Sequence, residues 1–305
     1  MNSPITPAPV IEMGPTPGTW ASLAGVLKAS RKRPGRIEAL PPVCFVRPNV
    51  ALEAADMAAY AQVCGHPPEQ GVPLLYPQML TFPLAMAYFA SAYCPWPALG
   101  TVHLANHVQQ HMPLQSGDVL RVELRPGPLQ AHEKGQVFAL QFQIWKDQTL
   151  AWEATQTLLR LGIPQPSGPA YVSALQHAQP LSLQTRFKAD ANIGRRYGRV
   201  SGDLNPIHLS ALSAKLFGFR RAIAHGMWTQ ARALAAMLPR GPLAQAEVHV
   251  EFKTPLYLPA RPTLWSTRAV QGAWPHNAVF EVRNAQGDKP HLRASLSYRL
   301  SDPLS

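Results

Sequence analysis

Between residues 197 and 227 the chain reads YGRVSGDLNPIHLSALSAKLFGFRRAIAHGM, with Asp203 five residues before His208 and a His-Gly pair at 225–226 that begins seventeen residues after His208. Gly202 permits a tight turn, Pro206 fixes its own φ and pushes Asn205 towards an extended conformation, and the Asn205 side chain can bond its own loop backbone. Asp203 and His208 are therefore expected to point in definite directions. A carboxylate and an imidazole either side of one water can take a proton and return it elsewhere, which is acid/base chemistry without a covalent intermediate. No Ser or Cys stands in a G-x-S-x-G setting, and Ser201-Gly202 lacks the strand-turn-helix flank of a nucleophile elbow. Hydration or dehydration fits this set better than acyl transfer. Gly226 leads into the helix-compatible run WTQARALAAML, whose first-turn amides can bind a developing oxyanion, and a glycine there lets a carbonyl approach closely.

The order S-G-D-x-N-P-I-H, then G-F, then I-A-H-G-M resembles the signature of the MaoC-like dehydratases, also called (R)-specific or type 2 enoyl-CoA hydratases. The likeness is dense from Tyr197 to Met227, extends through VHVEFKTPLYLPARPTL over about residues 183–300, and is loose in the first half of the chain. It implies an α+β hot-dog fold, a long helix wrapped by an antiparallel sheet, and addition of water to a 2-enoyl thioester to give a (3R)-3-hydroxyacyl thioester. It also implies that Asp203 and His208 form the catalytic dyad, that the Gly226 amide holds the thioester oxygen, and that neither metal nor redox cofactor is needed, coenzyme A entering only as part of the substrate. Asn205 belongs to the same substrate loop as a stabilising residue, His225 is expected to be structural, and Tyr197 and Phe219 to pack. Two other readings remain open: a hot-dog thioesterase releasing the free thiol, and a catalytically silent acyl-thioester-binding protein.

The chain has 305 residues, 46% of them hydrophobic, which suits two globular units, and the resemblance makes these two hot-dogs. No apolar run approaches eighteen residues, and the N-terminus lacks a basic segment followed by an apolar one, so neither a membrane span nor a secretory signal is expected and the cytoplasm is the expected compartment. Cys44, Cys64 and Cys94 are odd in number and spaced for neither a disulfide framework nor a C-x-x-C site, so buried reduced thiols are expected. His103, His107 and His111 would stack on one face of a helix, but TVHLANHVQQH reads as a strand and brings no acidic residue in sequence, so no metal site is expected.

The formal charge of +11 attracts acidic partners. No helix-turn-helix, zinc-finger or RNP pattern accompanies it, which argues against nucleic acid. Arg220 and Arg221 lie between Phe219 and the His-Gly turn, where a phosphate-bearing acyl-CoA or acyl-carrier thioester is the natural partner. A homodimer of double hot-dogs is a further open arrangement.

The elements that must hold these residues follow from periodicity and turn chemistry. Residues 1–38 are rich in Pro, Gly and Ser and are expected to be irregular, apart from a short amphipathic helix at GTWASLAGVLKAS. In 39–162, VCFVRP reads as a strand, ALEAADMAAYAQVCG as a helix and LLYPQMLTFPLAMAYFASAYCP as a central helix starting after Pro77 or Pro83. VHLANHVQQH, VLRVELRP, VFALQFQIWKD and LAWEATQTLLRL follow as strands. Residues 163–182 concentrate Pro, Ser and Gly and read as a linker. Residues 183–305 repeat the order: strand LQTRFKA, the motif loop, a short helix at SALSAKLFG, a central helix, then strands AEVHVEFKTP, TLWSTRAVQ, AVFEVRNA and LRASLSYRL. Only this second copy carries the dyad; in the first, Gly65-His66 lacks the Asp and Asn-Pro companions, so that half reads as a degenerate hot-dog.

Overall fold

Alternating apolar residues in the first half become a sheet with one buried row. In the computed structural model, which describes residues 8–14, 32, 35–175, 180–267 and 276–301, the chain separates into two compact units. The helix expected at GTWASLAGVLKAS lies outside the described residues. The first unit comprises Met1–Val50, Leu80–His103 and Val119–Val172. Its strands are β1 (Val10–Glu12), β2 (Cys44–Ala51), β4 (Val119–His132), β5 (Gly135–Lys146) and β6 (Thr149–Leu161), ordered β1-β2-β4-β5-β6. Residues 10–12, within the stretch read as irregular, pair parallel to β2; β4, β5 and β6 pair antiparallel. Val122 lies opposite Ile144 and Leu124 opposite Phe142, so these side chains share one face, and all four are buried. Helix α2 (Pro77–Ala90) begins at Pro77, whose fixed φ and missing N–H suit a first helical position, and continues through Pro83. Burial holds it together there: Leu84 and Tyr88 are fully enclosed, Tyr88 meets Phe45 edge-on, and Phe89 meets Phe138. Each such side chain contributes roughly 1.5–3 kcal/mol by leaving water.

The second unit comprises Ala51–Met79, Leu104–Asp118 and Ser173–Ser305, so two segments from the first half of the sequence belong to it. Its strands are β3 (Thr101–Gln110, from Leu104 on), β7 (Ser182–Arg186), β8 (Leu243–Phe252), β9 (Thr263–Ser266), β10 (His276–Arg283) and β11 (Pro290–Leu300). They run β3-β8-β11-β10-β9-β7, antiparallel throughout. Val248 opposite Leu296, Val250 opposite Ala294 and Val282 opposite Leu292 make its inner row.

Helix α5 (Gly226–Met237) is buried on most sides, through Trp228, Thr229, Gln230, Ala231, Ala233, Leu234 and Ala235, as a central helix must be. Helix α1 (Ala54–Cys64) packs beside it, where Trp228 Nε1 donates to the Val63 carbonyl at 3.0 Å. Gln70 Nε2 caps the far end of α5, donating to the carbonyls of Ala235 (3.3 Å) and Leu238 (3.0 Å). His66, read from the sequence as the motif's place in a degenerate first copy, lies instead in the second unit and serves this same support by bonding Gln70 Oε1 at 2.8 Å. Part of the expected linker is pinned to β8: the buried Glu251 carboxylate accepts from Ser173 Oγ and from the Ala174 and Leu175 amides.

The histidines of TVHLANHVQQH lie in or just after strand β3 as expected, but an acidic residue does join them: Glu247 of β8 meets His107 Nε2 at 2.7 Å. Cys44, Cys64 and Cys94 are buried thiols.

Candidate active site

The loop that carries Asp203 and His208 is held by a helix that sequence reading missed. Residues Ile193–Ser201 form α3, and its two interior glycines, which argue against a helix by propensity, are the reason it fits. A Cβ at Gly194 would lie 1.9 Å from the His208 carbonyl oxygen, and one at Gly198 would lie 2.9 Å from that of Asp203. The two glycines, one turn apart, make a groove in which the loop's backbone rests. Helix α3 ends at Gly202, left-handed at φ 79°. Beyond it the loop is self-bonded: Ser201 Oγ accepts from the Asp203 amide (3.2 Å), Asp203 Oδ1 from the Asn205 amide (3.1 Å), and Asn205 Oδ1 from the Ile207 amide (3.3 Å). Asn205 thus caps the short 3₁₀ turn Pro206–His208, the stabilising part expected of it. Ser210 then caps α4 (Ala211–Lys215), the short helix expected at SALSAKLFG.

His208 is buried, and its Nδ1 lies 2.8 Å from the Ile223 carbonyl. A carbonyl only accepts, so Nδ1 carries the hydrogen and the neutral ring's lone pair sits on Nε2. Burial lowers the His208 pKa, while the nearby Asp203 charge and the Ile223 bond act the other way. His225 is more enclosed still, at 3% exposure. Its Nε2 donates to the Asp203 main-chain carbonyl at 3.0 Å and lies 3.8 Å from Asp203 Oδ2, leaving Nδ1 buried without a partner. Burial and the neighbouring His208 push its pKa down to about 4 despite Asp203, so it is neutral near pH 7. The two imidazoles stack at 3.7 Å with 26° between planes, and the ring of Tyr197, buried as expected, lies 4.9 Å from that of His225.

Asp203, His208 and His225 each place one nitrogen or oxygen atom within 4.8 Å of the others'. This is the one group of the kind among the described residues. Stacked rings, however, send their in-plane lone pairs side by side and not towards one point, as a metal would require, and the two bonded nitrogens are already committed to carbonyls. The arrangement suits proton transfer: a neutral base at His208 Nε2 beside a carboxylate at Asp203 that is one-third exposed.

Gly226 is the first residue of α5, so its amide has no acceptor within the helix. A Cβ there would meet the Phe252 ring at 2.8 Å, so any side chain at this position needs that ring to move. Arg220 and Arg221 are exposed; the guanidinium of Arg220 lies 4.4 Å from the Tyr257 ring centroid and that of Arg221 lies 6.0 Å from it. The structure therefore brings Asp203, His208 and His225 together and sets the two arginines on Tyr257. The part played by α3 was signalled in the sequence only by the i, i+4 spacing of Gly194 and Gly198.

Two units that each combine antiparallel strands with a central helix, one of them bearing an aspartate and a histidine in a glycine-cradled loop, define an α+β double hot-dog protein. Comparison with known proteins places it further. Residues 174–267 match the model of the MaoC-like domain. Over 262 residues the chain is 34% identical to 3-hydroxyacyl-thioester dehydratase X of Mycobacterium tuberculosis, covering 86% of this chain and 91% of that one. The crystal structure of HtdX from the same organism superposes with a TM-score of 0.69 at 31% identity, over 83% of this chain and 98% of that one. A second protein from that organism, described as having a double hot-dog fold, shares the fold at 12% identity and a TM-score of 0.57, covering 82% of this chain and 93% of that one. The chain belongs to the MaoC-like dehydratase family.

Proposed function

We propose that the protein interconverts trans-2-enoyl and (3R)-3-hydroxyacyl thioesters, with Asp203 and His208 as the acid/base pair. The observation that carries this reading is the bond from His208 Nδ1 to Ile223, which leaves Nε2 as an unprotonated base beside the Asp203 carboxylate. In the hydration direction Nε2 takes a proton from water as the oxygen attacks C3. The proton that Nε2 has taken passes to the Asp203 carboxylate and from there to C2, so the pair ends as it began and the elements of one water are added. The roles of the two groups can exchange without altering this balance. The Gly226 amide donates to the thioester oxygen as it gains enolate character, at the positive end of α5. The change is redox-neutral, so the scheme uses no redox cofactor. One of Arg220 and Arg221 contacts the carrier's phosphates, for which a planar guanidinium is suited.

The 34% identical relative is named as a dehydratase of 3-hydroxyacyl thioesters, which supports the reaction class. The same fold is found in a 12:0-ACP thioesterase of Umbellularia californica at 12% identity, so fold alone does not choose the chemistry. Among the described residues no helix is long and apolar enough to cross a membrane, and three unpaired thiols suit the reducing cytoplasm in which we place the enzyme. The test is incubation with enoyl-CoAs of graded chain length, with chiral analysis of the product and an assay for free thiol. Formation of the (3R)-alcohol supports the reading. Thiol release without alcohol would identify a thioesterase instead, and binding without either product a silent binder.

A further inference from the structure

The face around the 203–208 loop carries charge and apolar surface that the proposed chemistry leaves unused. Residues 193–221 contain six cations, Arg195, Arg196, Arg199, Lys215, Arg220 and Arg221, against the single carboxylate of Asp203. Arg195 and Arg199 are exposed one turn apart on α3, and Arg195 Nη1 donates to the Leu209 carbonyl at 2.9 Å, laying a guanidinium across the turn that leads into α4. On α4, Leu212 is 77% exposed and Leu216, just past its last residue, 80% exposed, with exposed Lys215 between them. The partly exposed Asp203 carboxylate marks the solvent side of the dyad on the same loop. Two bare leucines with Lys215 between them and the Arg195 guanidinium on the turn just before them have the composition of a contact surface, apolar residues beside charged ones.

We propose that α3 and α4 dock a small acidic helical carrier protein that presents the acyl thioester to the dyad; this rests on the thioester reading above. A second copy of the chain fits poorly, because a two-fold interface would set these cations against themselves on a protein of net charge +11. A free nucleotide thioester would answer the charge and leave Leu212 and Leu216 in water. An anionic bilayer would answer both, but α4 spans only five residues, far short of the helices that lie in membrane interfaces. An acidic helix laid across α4 buries the leucines and pairs its carboxylates with Arg195, Arg199 and Lys215.

The test uses the full chain and the double variant Leu212→Ser/Leu216→Ser, surface changes that leave the fold in place. Labelled holo-acyl carrier protein is titrated onto each at low and at raised salt, and kcat/KM is measured for the same enoyl group on carrier protein and on CoA. The expected result is salt-sensitive binding, weakened about tenfold in the variant. The carrier-linked kcat/KM should fall in parallel, while that for the CoA thioester stays within about twofold, a ratio worth less than half of that free energy. Absence of carrier binding, or equal binding by both proteins, overturns the proposal. So does a variant that instead loses association with phosphatidylglycerol vesicles, pointing to a membrane, or loses self-association in sedimentation, pointing to a second copy. Carrier binding without turnover of any thioester would uphold the docking face and overturn the hydratase reading.

Discussion

Because His208 and His225 stack at 3.7 Å, a proton on either ring opposes one on the other, and both are buried. For His225 the folded value near 4 lies below the ordinary 6.5, so the unfolded chain binds more protons between those values. Stability from this group is therefore fully present above about pH 6.5 and is lost as pH falls towards 4, on the order of 2 kcal/mol between pH 7 and pH 5. Urea unfolding at the two pH values should show this loss in the native protein and a smaller one in His225→Gln. If that variant does not fold, ring nitrogen shifts in the native protein give the same answer, since His225 should still be neutral at pH 5. On the proposed reading, His208, shifted down by burial, should place the acid limb of kcat/KM below the usual histidine range. At the same scale, Asp203→Asn and His208→Ala should each lower turnover by about 10²- to 10⁴-fold while thioester binding persists. Near-native hydration by either variant would remove it from the reaction.

Helix α3 is where the elements and the sequence part company. The strands other than β1, the central helix α5 and the order of the Asp203–Gly226 loop were legible, because alternation, helix propensity and Gly-Pro turn chemistry act locally. IGRRYGRVS was not, because Gly194 and Gly198 read as breakers until the carbonyls of His208 and Asp203 occupy the space beside them. The acidic partner of His107 was hidden for the same kind of reason, since Glu247 comes from a strand far along the chain. The two glycines make separate predictions. Gly198→Ala gains up to about 1 kcal/mol of helix propensity but needs the Asp203 carbonyl to give way. Its melting temperature should change little while kcat falls about 10- to 100-fold, the usual effect of a slightly misplaced group. Gly194→Ala meets the His208 carbonyl much more closely and should be recovered as aggregate. Full activity in Gly198→Ala would show that the groove does not set the position of Asp203.

For the whole molecule, charge and connectivity make the testable statements. Replacing Arg220 and Arg221 by Gln should raise KM for an enoyl-CoA and change much less for a truncated pantetheine thioester. The difference should shrink as salt screens exposed charge over about 8–10 Å. Equal effects on both substrates would assign the arginines to folding instead. The piece that matches the MaoC-like domain, extended to residues 174–305, should not fold alone, because Trp228 needs the Val63 carbonyl and Tyr197 packs on Tyr60. Dispersed amide resonances from that fragment would contradict this. The same interleaving sets an order during synthesis. The last segment of the first unit ends at Val172, whereas β8 of the second unit must wait for β11, which closes only at Leu300. At roughly 5–20 residues per second, α1 therefore spends about 10–50 seconds outside the ribosome before its unit can close. Over that interval the helix that will pack beside α5 is a target for chaperones and proteases, and codon choice after residue 172 becomes a determinant of yield.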